Sequence, residues 1–571
     1  CFVPGTSVQA ERSAGAAKGS FGLARCLAEG HAAGAEAAVA AGVPRESRDR
    51  GASPTAVEPE EQPIRPLWLV PSRAPVGHGR GKHFVDLSSD VTAADIMLAA
   101  REGYRSVEHT KRYTTLGMGP DQGKTSNLAG LAILAQALGE EIPKVGTTTF
   151  RPPYVPIGYG LLAGREVREL SDPLRTTPMH DWHVSAGGVL EEVGQWRRPY
   201  CYPRGRAPSS AGAEGEDRHT AVNRECRAAR EAIGIFDAST LGKIEIRGPD
   251  ALRLLNAVYT NDWDSLPVGR SRYGLMLGED GMVMDDGVTT RLGEHHYSMT
   301  TTTGGAARVF NWLEEWLQCE WLGFKVQLTS VTEQWAVVTL MGPRARDLLR
   351  EVATDLDVSP NAFPHMSMRE GRVAGVPARV FRVSYSGELS YEINVPAGYG
   401  MALWGACLTA GAKYGITPIG TEALHVLRAE KGFIAVGQET DGTTAPDDLG
   451  MSWIVSKRKD FIGKRSLARA DMLREDRKQL VGLLPTDPRE VLPEGAQIVE
   501  EARPVPPVPM IGHVTSSYWS PALNRSIALA LVKGGRKREG TIVRLPLEGR
   551  VAEATVAKPV FFDPEGARFR G

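Results

Sequence analysis

Two adjacent carboxylates, Asp285 and Asp286, are the residues of this chain whose placement first invites chemistry. They sit near the end of the stretch RYGLMLGEDGMVMDDGV, residues 272–288. An acid pair does general acid–base work only when its two members lie in different environments. The local pattern predicts such a difference. Gly278-Glu279-Asp280-Gly281 is a turn signal, because Asp-Gly supplies the positive φ a tight hairpin needs. Residues 273–277 and 282–288 then read as antiparallel strands, whose neighbouring side chains point to opposite faces. One acid is expected to face solvent and the other the interior, where a buried Asp needs a partner. On spacing alone, the ordinary reading is a hairpin end with two solvated acids.

Other residue types with chemical potential fall away on spacing. His180 and His183 form an H-x-x-H pair, but without a third ligand nearby the reading is structural, and His295-His296 lies in a turn. Six cysteines (Cys1, Cys26, Cys201, Cys226, Cys319, Cys407) include no C-x-x-C pair. They fit neither a metal site nor a disulfide scaffold, and suit a reducing cytoplasm. GMGPDQGKTSN has three residues between Gly119 and Gly123 and five between Gly117 and Gly123, where a phosphate loop needs four. Gly15 and Gly19 belong to an Ala/Gly-rich helix start that could lie close to a phosphate, but no G-x-G-x-x-G follows a strand.

The elements that must position these residues belong to a multidomain α+β chain. Its 571 residues exceed one core and imply about three or four domains. The formal net charge of -1 argues against a general nucleic-acid or anionic-membrane binder. No apolar run approaches the roughly 18 residues of a membrane-spanning helix, and no secretory signal is visible. The chain opens on Cys, mid-pattern, which suggests an N-terminally incomplete sequence.

Five segments are expected. Residues 1–40 carry an Ala/Gly-rich helix that resembles the last helix of the two-dinucleotide-binding-domain flavoprotein and disulfide-reductase family, and by that resemblance are expected to be the remnant of a dinucleotide-binding domain. Residues 41–80 are expected to be a disordered linker rich in Pro, Arg, Glu and Ser, in which the run Leu67-Trp68-Leu69-Val70 is expected to dock. Residues 81–150 read as a small helical domain, its first helix capped by Asp90 or Thr92 and stopped by Gly103. Residues 176–470 alternate strands and helices. There GPDALRLLN and GPRARDLLR repeat one strand–Gly-Pro–helix unit, and residues 421–433 form a helix closed by Gly432. Residues 478–571 are short strands with turns, a small barrel.

GIFDASTLGKIEIRGPDA, YTND, RYGLMLGEDGMVMDDGV, SYSGELSYEI, GTEALHVLRAEKG, KRKDFIGKRSL and GHVTSSYWSPALNRSIALALV together resemble the folate-binding aminomethyltransferase (T-protein) family of the glycine cleavage system. VEHTKRYTTLGMGPDQGKTSN, TTTTGGAARVFNWLEEWLQ and GFIAVGQETDGTTAPDDLGM look like the α subunits of heterotetrameric sarcosine oxidases. The resemblance implies oxidative demethylation of sarcosine, with the one-carbon unit passed to tetrahydrofolate to give glycine, 5,10-methylenetetrahydrofolate and hydrogen peroxide. It implies FMN shared with smaller partner subunits, and NAD on the dinucleotide-binding half, of which Gly15 and Gly19 would be part. The helical domain resembles the insert of amine-oxidising enzymes that carries an iron–sulfur cluster, but no cysteine lies between Cys26 and Cys201 to hold one.

Carried over onto this sequence, the family pattern places Tyr273, Asp286 and Val288 beside folate. Tyr385 and Glu392 match its Y-[ST]-G-E…[FY]-E pattern, Arg428 its L-R-x-E-x-G pattern, and Trp453 would stack as a wall. Thr290 stands where the family often has Tyr and is left unassigned. Glu392 would accept the two parallel N–H groups of the pterin edge. Asp286 would be the catalytic base and the negative charge beside a developing cation, leaving Asp285 structural. Two other readings remain at this level: a stand-alone aminomethyltransferase with a lipoyl-protein partner, and a folate-binding subunit without catalysis.

Overall fold

A computed structural model describes residues 3–44, 52–58, 65–79, 81–152, 154–165, 170, 173–205, 215–502 and 507–570. The chain divides into two compact units, 1–165 and 166–571. Of the expected linker, residues 45–51, 59–64 and 80 lie outside the described residues.

The first unit begins with helix α1 (Leu23–Ala40), which has no buried residue. Its core lies further on, where the short strands β1 (Phe84–Asp86) and β2 (Val91–Thr92) pair before helices α2 (Ala93–Arg101), α3 (Val107–Thr114) and α4 (Asn127–Leu138). Thr92 caps α2 through a capping box with Asp95, as the Ser/Thr-x-x-acid spacing favours. Ile96, Leu116, Leu131 and Leu134 fill this core, and Trp68 and Leu69 of the linker pack against it.

The second unit opens with strands β3 (Arg175–Thr176), β4 (Val189–Val193) and β5 (Trp196–Cys201), which form a small sheet. Helix Arg218–Glu231 and strand β6 (Ile233–Asp237) follow. Two sheets then dominate. The first comprises β7 (Gly242–Arg247), β8 (Ser271–Leu277), β9 (Val283–Gly293), β10 (His296–Thr301) and β11 (Gln327–Ser330), in the order β11-β7-β10-β9-β8. The second comprises β6 together with β12 (Trp335–Met341), β13 (Ser367–Val373), β14 (Val376–Arg382), β15 (Ser390–Pro396) and β16 (Ile416–Pro418), in the order β13-β14-β15-β12-β6-β16.

The internal repeat extends beyond the Gly-Pro motif. In each half a strand (β7 or β12) leads through Gly-Pro into a helix, then a three-strand meander whose last strand pairs back onto the first, then a second helix and a short strand. Gly248 and Gly342 hold φ of 137° and 125°, and a Cβ at either would lie within 2.5 Å of a backbone carbonyl oxygen. Only glycine fits these two equivalent corners.

Alternation along the strands sorts the cores. Ile244, Ile246, Met276 and Met299 face outward, under helices Ala251–Val258 and Ala306–Glu315. Val338, Leu340, Tyr391 and Ile393 face outward on the other sheet, under helices Ala345–Val352 and Gly400–Gly411. The inner faces, with Leu275, Phe236, Val337 and Met341, share one central core with helix Thr421–Glu430.

The C-terminal strands β17 (Lys478–Pro485), β18 (Gln497–Val499), β19 (Met510–Ser520), β20 (Arg525–Lys533), β21 (Ile542–Leu547) and β22 (Arg550–Ala557) close a six-stranded barrel. On β20, Ala528, Ala530 and Val532 fill the barrel, while Ile527, Leu529 and Leu531 face outward into the central core. The period of two thus serves two cores at once. No described helix is long and apolar enough to cross a membrane.

Candidate functional site

The site is built outward from the hairpin. Gly281 takes φ of 85°, and the Gly278 N–H donates to the Met282 carbonyl at 2.9 Å, closing the turn the sequence signals. Register pairs Tyr273 with Val288, Leu275 with Asp286 and Met276 with Asp285. Tyr273, Asp286 and Val288 therefore share the inner face, and Asp285 takes the outer one with Met276.

The expectation that one acid faces solvent is not met. Asp285 is only 1% exposed, more enclosed than its neighbour. The reason is the helix layer over the outer face. Asp285 Oδ2 accepts from Thr302 Oγ1 at 3.1 Å, and Oδ1 accepts the Asp286 N–H at 2.8 Å. Thr302 Oγ1 in turn accepts the Gly305 N–H at 3.0 Å, so Asp285 anchors the turn into helix Ala306–Glu315. A Cβ on Gly305 would lie 1.9 Å from the Asp285 carboxylate.

Asp286 Oδ2 accepts from Tyr273 Oη at 2.6 Å. Burial pushes the Asp286 carboxyl up to about 7; the Tyr273 hydrogen bond opposes that rise and the Asp285 charge adds to it. Burial and the Asp286 charge push the Tyr273 hydroxyl well up. Tyr385 completes the group. Its Oη donates to the Ile434 carbonyl at 2.9 Å, its ring stacks on Phe433, and 37% of it stays exposed. The Asp286 charge is felt at Tyr385, and that of Tyr385 at Tyr273, so the three lie near one another.

Glu392 comes from the other sheet. It pairs with Thr339 of β12 and Phe381 of β14, and so lies on the face opposite Tyr391 and Ile393, toward the central core. Among the described residues its carboxylate accepts no hydrogen bond. Burial pushes it up to about 7, held back by the nearby Lys243 cation. A half-buried carboxylate without donors fits a planar ligand edge bearing two N–H groups.

Arg428 is fully buried and does not reach Asp286 or Glu392 by hydrogen bond. Its guanidinium donates to Glu439 at 2.7 Å, to the Phe433 carbonyl at 3.1 Å, to Ser516 of the barrel at 2.7 Å, and to Gln438. Glu439 also accepts from Thr515, Ser516 and the Ala435 N–H. The cation thus braces the 433–439 loop, which carries both the ring under Tyr385 and the carbonyl that receives its hydroxyl proton. Trp453 stands on a short turn, Ser452–Ile454, and is 74% exposed, with no aromatic partner among the described residues.

Gly15 and Gly19 belong to the first unit. The Gly15 N–H already donates to Glu29 at 2.8 Å, and Ser20 donates to the same carboxylate at 2.6 Å. A phosphate at this amide would have to displace a carboxylate of like charge. His183 lies deep in the second unit between Asp237 and Tyr202, at 2.9 and 2.8 Å, as a hydrogen-bonded core residue. Among the described residues no His/Cys/Asp/Glu group could hold a metal ion. Sequence reasoning overlooked two charged residues of this region, Lys243 and Glu439. The first was legible in GKIEIR, where Lys alternates with Ile at an inward position.

Comparison with known proteins agrees with this architecture. Residues 179–459 match the model of the GCVT N-terminal domain, residues 478–563 that of the glycine cleavage T-protein C-terminal barrel domain, and residues 80–165 that of the sarcosine oxidase A3 domain. The chain is 50% identical over 575 residues to sarcosine oxidase subunit alpha of Corynebacterium sp. (strain P-1), covering 100% of this chain and 58% of that one. It is 33% identical over 396 residues to an aminomethyltransferase of Symbiobacterium thermophilum, covering 69% of this chain and 98% of the relative. The crystal structure of aminomethyltransferase T of the glycine cleavage system from Bartonella henselae superposes with a TM-score of 0.59 at 26% identity, covering 68% of this chain and 99% of that one. This chain thus spans 58% of the length of its Corynebacterium relative. By fold, barrel and A3 segment together, the chain belongs to the glycine cleavage T-protein (aminomethyltransferase) family, in the branch of the sarcosine oxidase α subunits.

Proposed function

We propose that this chain carries the folate site of a sarcosine oxidase α subunit, where the one-carbon unit freed by oxidation of sarcosine passes to tetrahydrofolate. The observation that supports it most is the Tyr273–Asp286 pair. A carboxyl pushed up to about 7 by burial and hydrogen-bonded to a tyrosine can take a proton from a nucleophilic nitrogen near neutral pH. Its negative charge also stabilises a neighbouring carbocationic centre. Glu392, without donors of its own, receives the pterin N–H edge. Tyr385 offers an open ring face, and Arg428 holds the loop that fixes that ring.

The oxidation belongs to a flavin, FMN in this reading, held together with smaller subunits in a heterotetramer that makes glycine, 5,10-methylenetetrahydrofolate and hydrogen peroxide. No residue of this chain is assigned to that flavin. NAD is not placed on Gly15 and Gly19, because Glu29 takes the amide it would need. A cytoplasmic setting accords with five unpaired cysteines among the described residues. The stand-alone aminomethyltransferase reading is set aside because residues 80–165 match a sarcosine oxidase domain.

The test is Asp286→Ala in the assembled enzyme. Sarcosine oxidation is expected to persist while the yield of methylenetetrahydrofolate falls by about 10²-fold, the scale of a general base. Full yield from that variant overturns the assignment. Calorimetric titration of the chain with tetrahydrofolate tests binding directly, with loss expected in Glu392→Ala.

A further inference from the structure

The segment that follows the barrel, residues 559–570, runs as a strap across the second unit and touches both sides of the hydrogen bond that holds Tyr385. Tyr385 begins a tight turn, Tyr385-Ser386-Gly387-Glu388, and its hydroxyl donates to the Ile434 carbonyl, four residues past helix Thr421–Glu430. On the turn side, Arg568 of the short helix Ala567–Arg570 donates from Nε to Glu388 Oε1 at 2.6 Å. The same oxygen accepts from Arg230 Nη1 at 2.6 Å, and that nitrogen also donates to the Ser386 carbonyl at 3.1 Å. Arg568 reaches the Arg230 carbonyl as well, and both guanidiniums stand over the Phe562 ring, at 5.6 and 4.4 Å. On the carbonyl side, the N–H groups of Phe561 and Phe562 donate to the Glu430 carbonyl, both at 2.9 Å. Lys431 Nζ donates to the Asp563 carbonyl, with the Asp563 carboxylate at 3.3 Å. Gly432 takes φ of 66° with the Pro559 carbonyl against it, so no Cβ fits there. The Lys431 stem in turn lies against Gly387, in the middle of the Tyr385 turn.

Two carboxylates and two guanidiniums balance here. Glu388 and Glu430 are buried, and a buried carboxylate is tolerated only with a cation against it. Arg230 pairs with both, at 2.6 and 2.5 Å. Arg568 adds the second positive charge from a side chain that stays 34% exposed. Removing Arg568 therefore leaves Glu388 still paired, and what is lost is the tie between strap and turn. A strap that only fastened the barrel to the sheets would need no more than its contacts at Glu430 and Gly432. Arg568 goes further, to the turn that presents Tyr385, and it lies past residues 478–563, the stretch matched to the barrel domain.

We propose that Arg568 is a positioning residue for the folate site, clamping the 385–388 turn through Glu388 so that the Tyr385 ring is held ready at its hydrogen bond to the Ile434 carbonyl. This rests on the reading of Tyr385 given above. One strap grips the turn that carries the ring and the corner that leads to its acceptor, so ring and acceptor keep their relative place before a ligand arrives. Without the clamp, the ring has to be ordered as the ligand binds, and that ordering is taken out of the affinity.

The experiment is a double-mutant cycle on the full chain. The Kd of tetrahydrofolate is measured by calorimetry for wild type, Arg568→Ala, Tyr385→Ala and the double variant, with near-ultraviolet circular dichroism checking that each is folded. Arg568→Ala is expected to bind about tenfold more weakly, the scale of one side chain left to be ordered on binding. In the Tyr385→Ala background the same change is expected to cost nothing further, because a clamp acts only through what it holds. An equal loss in both backgrounds, which a merely structural role predicts, overturns the proposal, as does wild-type affinity in Arg568→Ala; the reading of Tyr385 survives either result. If Arg568→Ala does not fold, Asp563→Ala takes its place in the cycle with the same two outcomes. Asp563 accepts the N–H groups of Ala567 and Arg568 at 3.1 and 3.2 Å and so sets the turn that carries Arg568. A wild type that does not bind tetrahydrofolate, or a Tyr385→Ala variant that binds it as tightly as wild type, overturns the reading of Tyr385 and, with it, the role of Arg568.

Discussion

At the scale of single residues, the two acids of the hairpin act on one another. Asp285 raises the Asp286 carboxyl through its charge, while Tyr273 lowers it by hydrogen-bonding the ionised form. Two substitutions should therefore move the pH dependence of one-carbon transfer in opposite directions. In wild type the rate is expected to rise with pH around 7, as the proposed base ionises. Tyr273→Phe removes the stabilising donor and should displace that limb to higher pH; Asp285→Asn removes the repelling charge and should displace it to lower pH. Single-turnover transfer rates across pH 5.5–9 check both. The raised carboxyls also oppose folding. For Glu392 the folded value of about 7 exceeds the unfolded one, so the folded chain binds the proton more tightly and loses stability as pH rises through that range. Glu392→Gln is expected to stabilise the chain at pH 8, on the order of 2 kcal/mol after allowing for partial solvent contact, and by less at pH 5. Urea titrations at the two pH values measure this. An unchanged difference between them would count against a desolvated carboxylate.

At the scale of elements, helix Thr421–Glu430 joins the site to the barrel through its last turn. Arg428 reaches Glu439 and Ser516, and Glu430 accepts from Arg230 at 2.5 Å and from Ser520 at 2.6 Å. Arg428→Met would leave the Glu439 carboxylate buried without its cation, at a cost of about 3–5 kcal/mol. The expected outcome is a lower urea midpoint together with weakened folate affinity, since the 433–439 loop would lose its brace under Tyr385. The hairpin was legible in the sequence because Asp-Gly and a period of two fix turn and facing together. Arg428 was legible only as part of a family pattern. Its burial depends on contacts to Glu439, in the loop after its helix, and to Ser516 of the distant barrel, which no local periodicity reports. Asp285 escaped for a related reason. Alternation sends it to the outer face, but only the tertiary fold shows that face covered by a helix. Trp453, carried over with the family pattern as a wall, stands 74% exposed on its turn, which local sequence does not report.

At the scale of the whole molecule, the central core of the second unit is common to both sheets and to the outer face of the barrel. A ligand between the inner faces would be felt by all three. Tetrahydrofolate at 100 times its Kd is expected to stabilise this unit by about 2.7 kcal/mol, seen as a rise in the calorimetric melting temperature of the full chain. The strand–Gly-Pro–helix units and the C-terminal barrel were legible in turn chemistry and periodicity. The length of the repeat was not, since a meander and its pairing back onto the first strand are matters of topology rather than local sequence.

That repeat has a consequence for how the site is divided. The proposed base, Asp286, comes from one copy of the duplicated unit, and the proposed recognition carboxylate, Glu392, from the other. On the proposed reading, two surfaces with a common plan divide the work, one moving a proton and the other holding a ring. Neither copy alone would then contain both functions, and the direction of the site would be written in which half of the chain each acid belongs to.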